Sequence, residues 1–479
     1  MSASILSSSI NLINNIVGAG LFSMPWCLRQ ATVVTGCVVF ILIATLNIVS
    51  FMLLADSCER TGTFSYLEMG ERAFGRKFGV VAQLTTMFYA SGSLISYEVL
   101  AGDFIVGNGT GILDLWEPDV FGPSAPLSGL SARAVVCGAL TLFVLLPLCL
   151  LRSIDSLRFT SYAALLATLF AGFICVYELA AAPAGSLSPA EAGRGPELRR
   201  SVEWAGFPLT VWEAVPIINV AFTAHYNAPR YYKELADRSL PRYLRTTGGA
   251  LGVSLLIYLA VGLSGYLAFG SATLGDVLEN FSPSFALAVA ARVALVLVLV
   301  SCFPKAAHPI RETIIKLAYG PAQSADTLPF SSLAAITVCV TAAATIVGVL
   351  CEQVEVVLAY KGAIFGSLMV YIFPALMHAS LAAQGVTPLS VQGGADVYKP
   401  TGRAVAPSAA SSMAEPLVDG AAPPSDGVGA TPPSVPRVVA ALLFSRRHLP
   451  CSVLFVWGSV SSVLGVTITV LHQAGVKLG

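Results

Sequence analysis

Charge is scarce in this sequence. Only 11% of its 479 residues are Asp, Glu, Lys or Arg, against 55% hydrophobic. A soluble domain carries about a quarter charged residues, so water is excluded as the main solvent of the folded chain. Acidic and basic residues balance at 27 each. No basic stripe exists to neutralise phosphates, which excludes nucleic acid as a partner. No Gly-x4-Gly-Lys-Ser/Thr loop occurs, so ATP does not drive the protein by that route. The ten cysteines and five histidines lack metal-ligand spacing. Most cysteines, such as Cys137, Cys175 and Cys339, lie inside apolar runs, which speaks for buried free thiols rather than a disulfide framework. No convergent set of acid, base and nucleophile lies in the apolar runs, so neither an enzyme nor a cofactor is expected. No charged n-region and cleavage site precede the first run, which is expected to be retained.

What is present is long apolar sequence, with a mean hydropathy of +0.76. Runs between charged punctuation predict eleven membrane spans, at 8–28, 33–57, 79–104, 132–151, 157–180, 209–228, 247–270, 285–304, 330–350, 360–382 and 449–473. The fold class is an all-α, multi-pass membrane protein whose solvent is the lipid bilayer. Most Lys and Arg fall in one alternate set of loops, including Arg72, Lys77, Arg230, Lys233, Lys305 and Arg447. The excess of basic residues marks the cytosolic side, which puts the N-terminus in the cytosol. Residues 385–437 are rich in Pro, Ser, Ala and Gly and read as a disordered cytosolic linker. It separates a ten-span core, 1–384, from a last span and short tail, 438–479. Two sequons fall on the other side. Asn108 is the glycosylation candidate, whereas Asn280 is weakened by Pro283.

Two spans are poorly made for simple anchors. Span 1 reads "NLINNIVGAGLFSMPW" (11–26), with three asparagines, Gly18, Gly20 and Pro25. Glycine and proline both weaken a helix there. Non-helical backbone at membrane depth survives where it lines a cavity or is covered by protein. An opening over Val17–Gly20 would point N–H groups and the positive end of the following half-helix at a carboxylate. Asn14 offers a neutral oxygen to a small cation. Packing glycines and interhelical asparagine bonds are the competing explanation. Span 6 reads "EAVPIINVAFTAHYNAPRYYKEL" (213–235) and is interrupted in the same way, by Pro216, Asn219, Thr223, His225, Asn227 and Pro229. Spans 1 and 6 each open a block of five, the mark of a five-plus-five inverted repeat followed by one extra C-terminal helix. His225 is a candidate proton relay or a packing histidine. Glu98 and Arg292 are further intramembrane charges, and Asp103 pairs or caps at the end of span 3.

These stretches resemble the amino acid/auxin permease family, which includes the sodium-coupled neutral and the vacuolar amino acid transporters. The likeness rests on "NLINNIVGAGLFSMP", "TFSYLEMGERAFGRKFG" (63–79), "SYEVLAGDFI" (96–105) and "VAFTAHYNAPRYYKEL" (220–235). "GYLAFG" (265–270), "FPKAAHPIRETI" (303–314) and "FGSLMVYIFPAL" (365–376) follow in the family's order. The resemblance implies secondary active transport of amino acids by alternating access, with protons or sodium as coupling ion. It places the substrate carboxylate at Val17, Gly18, Ala19 and Gly20, and the rest of the amino acid near Phe222 and Thr223. It places sodium, where used, between Asn14 and a hydroxyl of span 8; that position is Cys302 here, with Ser301 beside it. Lys361 stands where the family is usually apolar. An amino-acid sensor signalling through the 385–437 loop is the rival function. The substrate's identity, the membrane and any protein partner are not legible in the sequence.

Overall fold

The computed structural model describes residues 4–107, 111–121, 128–151, 160–182, 185–187, 193–320, 323–387, 432–444 and 448–476. Asn108 and most of the expected linker lie outside them. The described residues form helices and their connections, with one isolated bridge between Leu187 and Phe281. Spans 2–5 are the helices Val33–Thr61, Arg76–Ile105, Gly129–Leu150 and Thr160–Ala181. Spans 7–11 are Leu240–Phe269, Ala286–Tyr319, Phe330–Leu350, Val354–Ala383 and Leu449–Gln473. Among the described residues, nine helices are long and apolar enough to cross a membrane unbroken, and the bent pair of span 1 makes a tenth. Span 6 falls outside that count because its first helix stops after 11 residues. Phe143, Leu166, Leu256, Leu297 and Leu350 point outward from this bundle, an apolar surface that only lipid can cover.

Spans 7 and 10 begin earlier than expected, at Leu240 and Val354, and the largest difference is in span 8. Span 8 does not end at 304 but runs through Pro304 and Pro309 to Tyr319. A proline in a membrane bundle is tolerated where neighbours take up the freed backbone groups. A helix, Val435–Phe444, also precedes span 11 and packs on spans 10 and 11.

Local chemistry sets the helix ends. Span 2 stops at Gly62, whose φ of 66° is the left-handed geometry that glycine adopts without strain, and whose N–H caps the Cys58 carbonyl. At its start, the orphan N–H groups of Val33 and Val34 donate to the carbonyls of Glu203 and Trp204. The link helix Tyr66–Phe74 is capped by Ser65, which accepts from the Glu68 N–H.

Span packing carries a pattern that no local rule predicts. The second half of span 1 lies on the first half of span 6, span 2 on span 7, span 3 on span 8, and span 4 on span 9. Spans 1–4 thus each meet the span five places later, whereas span 5 packs on spans 7 and 8. Two structural repeats related by a twofold axis bring equivalent elements together in this way. The approach is close. A side-chain carbon added at Gly265 in span 7 would lie 2.5 Å from the ring of Pro25 in span 1.

Candidate substrate and ion site

Spans 1 and 6 are both broken. The helix Ile5–Ile16 ends at Val17, which is extended, as is Gly18; a 3-10 turn, Ala19–Ser23, follows, and the helix resumes over Met24–Ala31 at 61° to the first. Span 6 runs over Val211–Ala221, opens at Phe222–Ala224, turns through His225–Asn227 and resumes over Ala228–Glu234. Pro25 and Pro229 each sit in the first turn of the second half, where the missing N–H has no partner to lose.

The break in span 1 exposes donors. Val17 N–H donates to the Ile13 carbonyl, and Leu21 N–H to that of Gly18. Among the described residues, the N–H groups of Gly18 and Gly20 between them show no acceptor outside the helices. Gly18 has φ −140°, open to any residue, so conformation does not call for glycine. Packing does not call for it either: an added Cβ at Gly18 meets nothing within 4 Å, so the space before it is open, and one at Gly20 would make an ordinary contact with Ala221 of span 6 at 3.6 Å. A run of free donors facing empty space at the N-terminal end of a half-helix suits an anion.

The span 6 break contributes the other wall. Phe222 is buried edge-on against Tyr258 of span 7, with ring centroids 5.0 Å apart. Thr223 is buried and its hydroxyl donates to the Asn219 carbonyl at 2.7 Å. Tyr258 joins the two walls. Its hydroxyl lies 2.7 Å from the carbonyl of Ile16 and 2.8 Å from that of Ala221, the last helical residue before each break. One phenolic hydrogen thus serves two carbonyls left over by two interrupted helices. Tyr258 was not singled out in the sequence. Its only signal is a lone phenol within the apolar run "SLLIYLAVG".

The other expected residues fall as follows. Asn14 is half-buried one turn before the break. Its neighbour Asn15 accepts from the Tyr226 hydroxyl at 2.9 Å, tying span 1 to span 6. Ser301 donates into its own helix, to the carbonyls of Leu297 and Val298, and its lone pairs remain. His225 is fully buried, with its ring 4.1 Å from that of Phe51 in span 2. Glu98 does not snorkel to a surface. It is fully buried, and one oxygen accepts from Thr141 of span 4 and Thr345 of span 9, at 2.8 and 2.9 Å. A cavity of about 480 Å³ lies away from the breaks, beside Glu178, Ser186 and Arg199.

One end of the site is covered. The segment 273–282, between spans 7 and 8, folds inward, and its turn Val277–Asn280 packs on the Ala19–Ser23 turn. Arg29 of span 1 donates to the Thr273 carbonyl at 2.8 Å, and Arg292 of span 8 to those of Leu278 and Phe281 at 2.8 and 3.0 Å. Asn280 is buried, accepting from Leu274 N–H and donating to the Ala272 carbonyl, so its side chain is spent inside the loop. Beneath lies the buried pair Arg133–Asp103. Asp276 accepts from Leu278 N–H. Burial first, then the charge of Asp103, push its carboxyl from 3.8 up to about 7. An acid raised in the packed state holds its proton there more tightly than in the open state. Packing is therefore favoured fully below pH 3.8 and loses that support as pH rises to about 7. Amide protection across 273–282, the exchange rate relative to the intrinsic base-catalysed rate at each pH, is expected to be lower at pH 8 than at pH 5.5, and Asp276→Asn to flatten the difference. Equal protection at both values would refute this.

A family model described as "Transmembrane amino acid transporter protein" matches residues 1–390. The chain is 26% identical over 381 residues to the "Putative sodium-coupled neutral amino acid transporter 11" of Danio rerio, covering 80% of each. It is 26% identical over 392 residues to "Vacuolar amino acid transporter 5" of Schizosaccharomyces pombe, covering 81% of this chain and 86% of the relative. Among solved structures it is similar to "Inward facing conformation of Mhp1", with a TM-score of 0.53 and 14% identity over 99% of this chain and 92% of that one. That likeness speaks for the fold alone: an inverted-repeat architecture, with which the pairing of spans 1–4 with spans 6–9 agrees.

Proposed function

Because the chain belongs to the transmembrane amino acid transporter family, we propose that it is a secondary active transporter carrying amino acids across a membrane by alternating access. The observation that supports this most directly is the facing pair of broken helices. The N–H groups of the segment Val17–Gly20, of which those of Gly18 and Gly20 show no acceptor outside the helices, take the substrate carboxylate, while Phe222 and Thr223 line the space for the remainder. The N-terminus faces the cytosol, since most Lys and Arg lie in that set of loops. The 273–282 segment then closes the opposite face. The membrane is the cell surface or a vacuolar or lysosomal-type compartment.

The coupling ion is a proton or sodium. For sodium, Asn14 offers its amide oxygen and Ser301 its hydroxyl lone pairs. For a proton, His225 and the second oxygen of Glu98, which is buried without a described partner, are the groups able to carry it. Coupling is thermodynamic: the ion favours the state whose pocket binds substrate better, and a differential of a few kcal/mol shifts the populations strongly. The test is uptake of a labelled amino acid panel in proteoliposomes under imposed sodium and pH gradients. Accumulation driven by one gradient is expected. Binding without counterflow would make the protein a sensor and sink the reading.

A further inference from the structure

Lys361 is a buried cation that the transport reading leaves unused. It opens the wide π-helical turn Lys361–Gly366 of span 10, a geometry that recurs at functional sites. Its stem lies on Gly92 of span 3, where an added Cβ would stand 3.1 Å from it. Its ammonium donates to the Ser93 hydroxyl at 2.7 Å and lies 4.3 Å from the centre of the Tyr89 ring. Among the described residues no carboxylate pairs with it. One hydroxyl and one ring face offset only part of what a buried ammonium loses on leaving water.

Asn219 of span 6 makes the second, independent observation. It is buried, and neither its amide oxygen nor its amide nitrogen has a described partner. Its nitrogen lies beside Gly366 of the same π-turn. A Cβ added there would be 3.2 Å from it, 3.5 Å from the Lys361 carbonyl and 3.8 Å from Tyr89. The unpaired amide, the unpaired ammonium's own turn and the ring beneath the ammonium therefore share one locus. Asn219 lies one helical turn before Thr223 of the span 6 break and on the same face, and its carbonyl accepts from the Thr223 hydroxyl at 2.7 Å. The locus therefore lies on the face of span 6 that leads to its break.

We propose that Lys361 and Asn219, with Ser93, form a subsite for the side-chain carboxylate of an acidic amino acid, so that the cargo is a dicarboxylic amino acid. This rests on the transport reading above. The α-carboxylate goes to the span 1 break. The second carboxylate accepts from the Lys361 ammonium and the Asn219 amide, supplying the missing counter-charge and the missing acceptor. The same fixed cation repels lysine and arginine as cargo. An uncharged isostere of an acidic amino acid leaves the ammonium unpaired and is rejected.

Glutamate and glutamine differ at the group this subsite reads. In proteoliposomes of the full chain, unlabelled glutamate is expected to displace uptake about tenfold better than glutamine, and aspartate better than asparagine. Lys361→Met is expected to bring both ratios to one or below; if that variant is not recovered in the membrane, Lys361→Gln carries the same test. Wild-type protein that takes glutamine or another neutral amino acid as well as glutamate overturns the inference and leaves the transport reading standing. A preference for glutamate that survives loss of the lysine also overturns it. Protein that exchanges no amino acid at all overturns the transport reading and this inference with it.

Discussion

Gly18→Leu is expected to lower amino acid uptake by roughly two orders of magnitude or more, with the protein still delivered to the membrane. The glycine is not there for its backbone angles, which any residue can adopt. It is there because the space before it is open while the N–H groups of Gly18 and Gly20 show no acceptor outside the helices. A leucine fills that space with a branched apolar group and shields the donors from an incoming carboxylate, whose desolvation then has no compensation. Gly18→Ala separates the causes: its single methyl has room, so the fold persists and uptake falls less. Uptake at the wild-type rate by the leucine variant would show that cargo does not pass before Gly18.

The second large effect is expected at Tyr258. Tyr258→Phe keeps the ring that packs edge-on against Phe222 and removes only the hydroxyl. Two carbonyls, of Ile16 and Ala221, then lose their described partner in a part of the bundle closed to water. An unsatisfied buried acceptor costs about 1–3 kcal/mol, and here the loss falls on the hinge of each broken span. The variant should unfold at a lower temperature in detergent. Its uptake should fall more than its abundance, because the hydroxyl holds the two breaks in register. A variant whose melting temperature and uptake both match the wild type would show that water replaces the hydroxyl at no cost, leaving Tyr258 no positioning role.

Several features of the site were legible in the sequence because they are local. Gly18, Gly20 and Pro25 announce an interruption through backbone chemistry alone, as does Pro229, and the structure breaks both spans beside them, whereas Pro216, also read as an interruption, lies inside an unbroken helix that ends at Ala221. The extent of span 8 was misjudged for a related reason. Proline marks a helix end in water, whereas in the bundle the helix continues through Pro304 and Pro309. Tyr258, Lys361 and Asn219 were illegible as a site. Nothing in "SLLIYLAVG" tells that the phenol meets carbonyls 242 and 37 positions away. Likewise nothing in "LAYKGAIFG" tells that the amine lies over a ring of span 3. Glu98 was readable as an intramembrane carboxyl, but its threonine partners on spans 4 and 9 were not.

The sequence by itself determined the solvent, the number and place of the spans, and the two points where helix gives way. Composition and hydrophobic run length report the transfer of each segment from water to lipid, one segment at a time. Only the tertiary structure decided that the two breaks face each other across one tyrosine, that spans 1–4 each meet the span five places later, and that a lysine without counter-charge and an asparagine without a described partner are buried on one π-turn of span 10. Those facts depend on which distant residues come together, and in lipid every span is apolar enough to fit almost any neighbour. Close packing and the few polar groups left to satisfy make that choice, and both are properties of the assembled bundle.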